Sequence, residues 1–252
     1  MYLNDLGDQA HYRIRAYEID NRKQATLPAL LKLLHETAMQ NVIRLKLSVW
    51  DLEPHQLAWV LMRQHVRVNR YPRLGEAVRV QTQPTGFEKA FAYRDYGIWD
   101  EEGELLAQAA STWLLMNTQT RRLARIPDFI WEVQPHMPPE DQRLPHPPAR
   151  LPALEQADYT DHFRVRWHQL DFNMHLNNTF YPEWMLDALP AQWLHRRQVD
   201  ELTLVFRQEA REGDRILSQA QQLDEHTLLH RLVREADGIE LASGRTKWRD
   251  EA

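Results

Sequence analysis

The sequence predicts a duplicated α+β protein, and three observations carry the prediction. A long apolar helical run near the N-terminus is followed by several alternating segments separated by tight turns. That is the order of an antiparallel sheet with a helix packed on one face. The same order returns after a proline-rich stretch, and short matching sequences recur at corresponding places in the two halves.

In the first half, residues 11–18 alternate around Tyr12, Ile14 and Ala16, as a strand does. Thr26 is placed as an N-cap with Pro28 in the first turn. The run Leu27–Leu47 then sets Leu30, Leu31, Leu34, Ala38, Met39, Val42 and Ile43 at helical spacing, which predicts a helix buried along most of its length. Beyond Pro54 the pattern becomes strands at Leu57–Asn69, Ala77–Gln83, Ala90–Trp99 and Glu104–Met116. Turns at Tyr71–Glu76 and Asp100–Gly103 separate them, and Asn117–Arg122 closes the meander. Between 135 and 152 stand Pro135, Pro138, Pro139, Pro145, Pro147, Pro148 and Pro152, half of the chain's 14 prolines. Proline lacks the ladder donor and restricts its predecessor, so neither helix nor sheet persists there. The expected organisation is a first unit at 1–134, a linker at 135–157 and a second unit at 158–252.

The second half predicts a strand at Phe163–Trp167, a short amphipathic helix at Asn178–Leu189 stopped by Pro190, and strands at Glu201–Arg207, Arg215–Gln221, His226–Arg234 and Glu240–Trp248. Arg13-Ile14-Arg15…Ile19-Asp20 matches Arg164-Val165-Arg166…Leu170-Asp171. Gly75-Glu76 matches Gly213-Asp214, and Leu106-Ala107…Trp113 matches Leu241-Ala242…Trp248.

Composition removes several function classes. At 252 residues, with 27% charged and 10% aromatic side chains, the chain can bury a sizeable core and is not disordered. Its longest apolar run, Leu57–Met62, is too short to span a bilayer. The acidic N-terminus reads as neither a secretory signal nor a transit peptide, so the expected compartment is the cytoplasm. The absence of cysteine removes disulfides, thiolate metal sites and cysteine nucleophiles. A net charge of −5 argues against nucleic acid as a partner. Arginines cluster at Arg121, Arg122 and Arg125 and again at Arg196 and Arg197, either as solvated faces or as docking patches for an anionic partner.

One stretch is a poor way to build a core. Asp171, Asn173, His175, Asn177 and Asn178 fall within eight positions, and an amphipathic run follows. No serine sits in a nucleophile elbow, and no glycine-rich nucleotide loop is present. A calcium loop starting at Asp171 would need glycine where Leu176 stands and glutamate where Pro182 stands. Zinc would need a second, suitably spaced histidine, so no metal or cofactor is expected. What remains is acid–base or hydrolytic chemistry. Asp171 supplies a carboxylate, Asn173 both donates and accepts, and His175 belongs to the residue type that titrates near neutrality. Backbone amides at the start of the helix near Asn177 and Asn178 could hold an oxyanion. Glu209 and Glu212 lie at a strand end, where a polar hairpin would also place them.

These residues resemble the acyl-acyl carrier protein thioesterases of plants and bacteria. The shared motif is Arg166-Trp167…Leu170-Asp171, Asn173, His175, Asn177-Asn178, Tyr181 and Trp184. The first half also matches, at Arg15–Asp20, His35–Asn41, Leu57–Val68, Tyr71–Thr82, Tyr93–Asp100 and Ala110–Pro127. The resemblance implies a tandem, or double, hotdog fold, each unit a curled antiparallel sheet wrapped around a helix. It implies hydrolysis of fatty acyl thioesters of acyl carrier protein, with Asp171, Asn173, His175 and Glu209 catalytic. Where many plant members have a cysteine after the glutamate, this chain has Ala210.

Either carboxylate could activate water while the other orients Asn173 or His175; a covalent acyl-aspartate is the alternative. Met39, Ile43, Trp59 and Leu61 are candidates to line an acyl pocket in the first unit, though ordinary core packing is the favoured account of each. The competing readings are an acyl-CoA thioesterase of the same fold, a hotdog hydratase or dehydratase, and a non-catalytic acyl-binding module. Oligomeric state is open, with a homodimer one option.

Overall fold

The computed structural model describes residues 4–250. The chain divides into two compact units, Met1–Pro147 and Pro148–Ala252, with the boundary inside the proline-rich stretch. Unit 1 contains β1 (Asp8–Arg13), α1 (Leu27–Arg44), α2 (Val49–Leu52), β2 (Leu57–Val68), β3 (Ala77–Glu88), β4 (Phe91–Trp99), β5 (Leu105–Asn117) and α3 (Asp128–Trp131). Unit 2 contains β6 (Tyr159–Arg164), α4 (Phe180–Asp187), α5 (Ala191–Arg196), β7 (Arg197–Phe206), β8 (Arg215–Gln222), β9 (Thr227–Arg234) and β10 (Glu240–Asp250).

The strands of unit 1 lie in the order β1-β3-β4-β5-β2, and those of unit 2 in the order β6-β8-β9-β10-β7. Every pairing within each unit is antiparallel. The two orders are the same when strands are matched by their place in each half, so the repeat read in the sequence is a repeat of topology. Each unit is the expected hotdog arrangement, an antiparallel sheet with one principal helix against it.

In unit 1 that helix is α1. Thr26 Oγ1 accepts from Ala29 N at 3.2 Å, so the predicted cap forms. Leu27, Leu30, Leu31, Leu34 and Ala38 are buried against the sheet. The helix ends at Arg44, earlier than the sequence pattern suggests, because Lys46 takes a left-handed conformation (φ 56°) and turns the chain. Burial fades over its last turns, and Ile43 is 43% exposed. One polar tie joins α1 to the sheet: the buried Arg94 guanidinium donates to Asn41 Oδ1 (2.8 Å) and Thr82 Oγ1 (3.0 Å). A buried cation needs such acceptors, and burial pulls its pKa down.

In unit 2 the helix is the shorter α4, which begins two residues after the expected start. Tyr181, Trp184, Met185 and Leu186 are buried on it, and Trp184 stacks on Phe163 at 5.1 Å. Gly244 of β10 makes room for it, since a Cβ there would stand 2.8 Å from the Met185 sulfur.

Other boundaries also differ from the expected ones. β1 ends at Arg13 and not at residue 18, because Arg15–Glu18 forms a turn with Glu18 N bonded to Arg15 O (3.0 Å). β6 ends at Arg164, and Trp167–Gln169 is a 3-10 turn. β3 runs on to Glu88 through Pro84, which is tolerated because β1 pairs with β3 only from Ala77 to Thr82 and a register shift follows Pro84. Part of the proline-rich segment is tied to unit 1. Leu144 N donates to Asp95 Oδ2 at 2.8 Å, and His146 stacks on Tyr93 at 3.7 Å.

Each core contains its own buried hydrogen-bond chain of matching design. In unit 1, Tyr96 Oη and Trp113 Nε1 meet Ser111 Oγ at 3.2 and 2.8 Å. In unit 2, His230 Nε2 and Trp248 Nε1 meet Thr246 Oγ1 at 2.8 and 2.7 Å. Burial pushes the His230 pKa down to about 4, so the folded protein holds it neutral. An unfolded histidine titrates near 6.5, so the unfolded chain binds the extra proton first as pH falls. Stability from this site is therefore present above about pH 6.5 and lost as pH drops towards 4. Asp95 and Asp187, each raised to about 6 by burial, act in the opposite direction. They remain in a His230→Gln variant and cancel in the comparison. Denaturant melts at pH 7 and pH 5 will show that the wild type loses about 2 kcal/mol more than His230→Gln over that interval.

Candidate functional site

The site is built where the chain leaves β6 and approaches α4. Asp171 makes the turn. Its Oδ1 accepts from Asn173 N (2.8 Å) and His175 N (3.1 Å), while its own N donates to His175 O (2.8 Å). Met174 sits in the left-handed region (φ 61°) to close the loop, and Leu170 and Leu176 form a bridge across its neck. Short Asx side chains favour such self-bonded turns, which is why aspartate stands there.

The loop then pairs with the segment that follows β7. Leu176 N donates to Ala210 O at 2.8 Å, and His175 and Arg211 form an isolated bridge. This pairing carries Glu209 to His175, with Oε2 3.4 Å from Nε2. Both side chains are mostly buried, 15% exposed for His175 and 27% for Glu209. The backbone around Glu209 is also held. Tyr181 Oη donates to Gln208 O and accepts from Ala210 N, each at 3.3 Å, and Arg234 Nη1 donates to Glu209 O at 3.3 Å.

Asp171 therefore lies behind the loop, bonded to backbone amides, whereas His175 and Glu209 meet side chain to side chain. Asn173 is exposed on the same turn. The expected helix N-terminus is rearranged. Asn177 Oδ1 accepts from Thr179 N (3.0 Å) and Thr179 Oγ1 (2.9 Å), so Asn177 closes a turn ahead of the helix, and Thr179 is the N-cap residue. The Asn177 N–H donates to Gln169 O at 2.8 Å and is occupied. The Asn178 amide has no protein acceptor among the described residues. Trp167, Phe172 and Met174 stand exposed on this stretch, at 59%, 62% and 51%. Periodicity gave no sign of this apolar rim, because it lies on a turn.

Unit 1 repeats the frame without the histidine and the glutamate. Asp20 Oδ1 accepts from Arg22 N (2.9 Å) and Gln24 N (3.4 Å), and Lys23 takes the left-handed position (φ 64°). Ala25 N donates to Pro72 O (2.8 Å), and Gln24 bridges Arg73. Gln24 thus occupies the place of His175, and Tyr71 that of Glu209. A cleft of about 440 Å³ opens here, lined by Arg13, Gln24, Arg70, Tyr71, Arg73 and Glu76 among others. Arg70 in it is bound to Glu76 and Asp100, both at 2.8 Å. The residues that line the cleft all belong to unit 1 and include no histidine, so its size alone does not make it a candidate for hydrolysis.

The acyl-pocket candidates separate in the structure. Trp59 is half-buried against the Leu47, Leu52, Leu57, Leu115, Ile126 and Ile130 cluster and donates from Nε1 to Leu47 O (3.1 Å). Met39 and Leu61 are half-buried, while Ile43 is exposed.

The comparisons with known proteins identify the family and the fold. Family models match over residues 7–133, the acyl-ACP thioesterase N-terminal domain, and over residues 153–250, its C-terminal domain. A chloroplastic palmitoyl-acyl carrier protein thioesterase of Cuphea hookeriana is 34% identical over 257 residues, covering 95% of this chain and 61% of the relative. Oleoyl-acyl carrier protein thioesterase 1 of Arabidopsis thaliana, also chloroplastic, is 27% identical, covering 97% of this chain and 76% of the relative. The solved 12:0-ACP thioesterase from Umbellularia californica matches with a TM-score of 0.87 at 26% identity, over 100% of both chains. The chain thus spans about 61% of the length of the palmitoyl relative.

The shared loop predicts a shared stability cost. Asp171→Ala and Asp20→Ala each remove a carboxylate that accepts two backbone N–H groups. Each variant will lose about 1–3 kcal/mol in urea denaturation. A loss at Asp171 alone would refute the equivalence of the two loops.

Proposed function

We infer that this chain, which belongs to the acyl-ACP thioesterase family, hydrolyses fatty acyl thioesters of acyl carrier protein to free fatty acid and the carrier's thiol. The observation that carries the reading is the His175–Glu209 pair at 3.4 Å, mounted on the Asp171 loop of unit 2 and missing from the matching loop of unit 1. A thioester needs an attacking water, a group to take its proton and donors for the carbonyl oxygen. Glu209 takes the proton of the attacking water. His175, within reach of the same carboxylate, relays a proton to the departing thiolate. Asn173 and the Asn178 amide are the donors offered to the carbonyl oxygen. Asp171 holds the loop that aims His175 and Asn173. This division favours water as the nucleophile over an acyl-aspartate, since Asp171 Oδ1 is already bonded to two amides.

His175→Ala and Glu209→Gln will each lower kcat at least ~100-fold, read as free thiol released from lauroyl-, palmitoyl- and oleoyl-carrier protein. Near-normal turnover in both would refute the site. The same assay on the matching CoA esters separates the two thioester classes. Binding without thiol release would identify a non-catalytic module.

The carrier protein is acidic, so docking calls for a local positive surface. Arg197 lies 4.3 Å from the Trp193 ring and pairs with Asp250 at 3.1 Å. Arg121, Arg122 and Arg125 are all exposed near the end of β5, and we assign docking to them. Replacing all three by glutamate will raise KM for the carrier-protein ester about 10-fold, the equivalent of 1.4 kcal/mol, and leave KM for the CoA ester unchanged. We place the reaction in the cytoplasm, although the curated relatives named above are chloroplastic, and cell fractionation decides between these compartments.

A further inference from the structure

The geometry points to Tyr181 as a positioning residue whose hydroxyl, clasped between Gln208 O and Ala210 N, sets the Glu209 carboxylate against His175. The inference rests on the reading that Glu209 takes part in hydrolysis, and it assigns a role that the family motif leaves blank. The Tyr181 hydroxyl spans the residue on either side of Glu209, with both hydrogen bonds at 3.3 Å. Arg234 holds the carbonyl in between, also at 3.3 Å, and is itself fixed by Asp237 at 2.8 Å. Three successive backbone positions are therefore pinned, and the Glu209 side chain leaves from the pinned segment. A phenol in this place must stay protonated to donate, and burial holds its pKa far above the ordinary range. The ring itself is only 3% exposed and packs edge-on against Phe206 at 5.3 Å.

Unit 1 supplies an internal control. Its loop makes the same backbone bonds as far as Thr26, where Thr26 N donates to Glu18 O just as Asn177 N donates to Gln169 O. Counting four residues on from Thr26 and from Asn177, Leu30 matches Tyr181 in sequence, although α4 starts two residues later in that count than α1. Ala25 N bonds Pro72 O as Leu176 N bonds Ala210 O, so Pro72 occupies the place of Ala210. Leucine has no hydroxyl, and proline has no N–H. Both halves of the clasp are thus absent from the unit that has tyrosine in place of the carboxylate. Packing alone would not require this difference, because Leu30 is fully buried without a hydroxyl.

Two single variants open the clasp from opposite sides. Tyr181→Phe removes the hydroxyl and keeps the ring, and Ala210→Pro removes the N–H and copies the residue that unit 1 accommodates. With palmitoyl-carrier protein as substrate, each will lower kcat about 10- to 100-fold with KM within about two-fold, the scale expected when a reacting group is slightly misplaced. In a Glu209→Gln background, Tyr181→Phe will change kcat by less than about two-fold, because the group it positions is gone. Wild-type kcat in both single variants, or a full additional loss on top of Glu209→Gln, would overturn the assignment. A lowered melting temperature without the kcat change would do the same, marking the hydroxyl as merely structural. Should Tyr181→Phe not fold, Ala210→Pro in the same cycle decides the matter. Wild-type turnover in Glu209→Gln itself is a separate outcome that defeats the reading of the site and the clasp with it.

Discussion

A short backbone pairing holds the site together. Where Leu176 N meets Ala210 O, the loop leaving β6 is stitched to the segment leaving β7. Two side chains far apart in sequence come into contact only because of that stitch. A backbone hydrogen bond contributes modestly to net stability, on the order of 1 kcal/mol. Its importance here is geometric, since it fixes which residues face each other. The Asp171 turn presents His175, and the pairing presents Glu209.

The same stitch in unit 1, between Ala25 and Pro72, shows that the frame is independent of the chemistry mounted on it. Both units keep an aspartate at the turn, a left-handed residue before the bridge, and a glycine with positive φ, Gly75 or Gly213, in the turn that leads into β3 or β8. Both keep a tryptophan and a hydroxyl residue bonded in the core. Their third partner differs, tyrosine in one and histidine in the other, and only the histidine makes the core sensitive to acid.

Much of this was legible in the sequence. Alternation marked nearly every strand, because successive side chains of a strand point to opposite faces of the sheet. The repeat was visible in Gly75-Glu76 and Gly213-Asp214, since a positive φ restricts what can stand there. Asp171, Asn173 and His175 stood out because so many polar groups in so few positions cannot form a core. Glu209 was different. A carboxylate at a strand end has an ordinary explanation, and only its resemblance to a family pattern, followed by the pairing of Leu176 with Ala210, sets it apart. The start of α4 was misread because asparagines cap turns as well as helices, and Asn177 caps the turn. The final turns of α1 were expected to be buried, but periodicity reports which residues share a face and not how far the sheet reaches beneath them.

The two aspartate loops also bear on how such a protein can change over time. The loop is held by backbone amides, so the side chains at its tip are not what keeps it folded. Arg22, Gln24 and Tyr71 stand where Asn173, His175 and Glu209 stand in the other copy, with little change to the main chain around them. A loop held this way can exchange the side chains at its tip and keep its shape. The unit 1 loop is therefore a mount of the same shape with other side chains on it, and the difference measures how little of the fold those side chains determine.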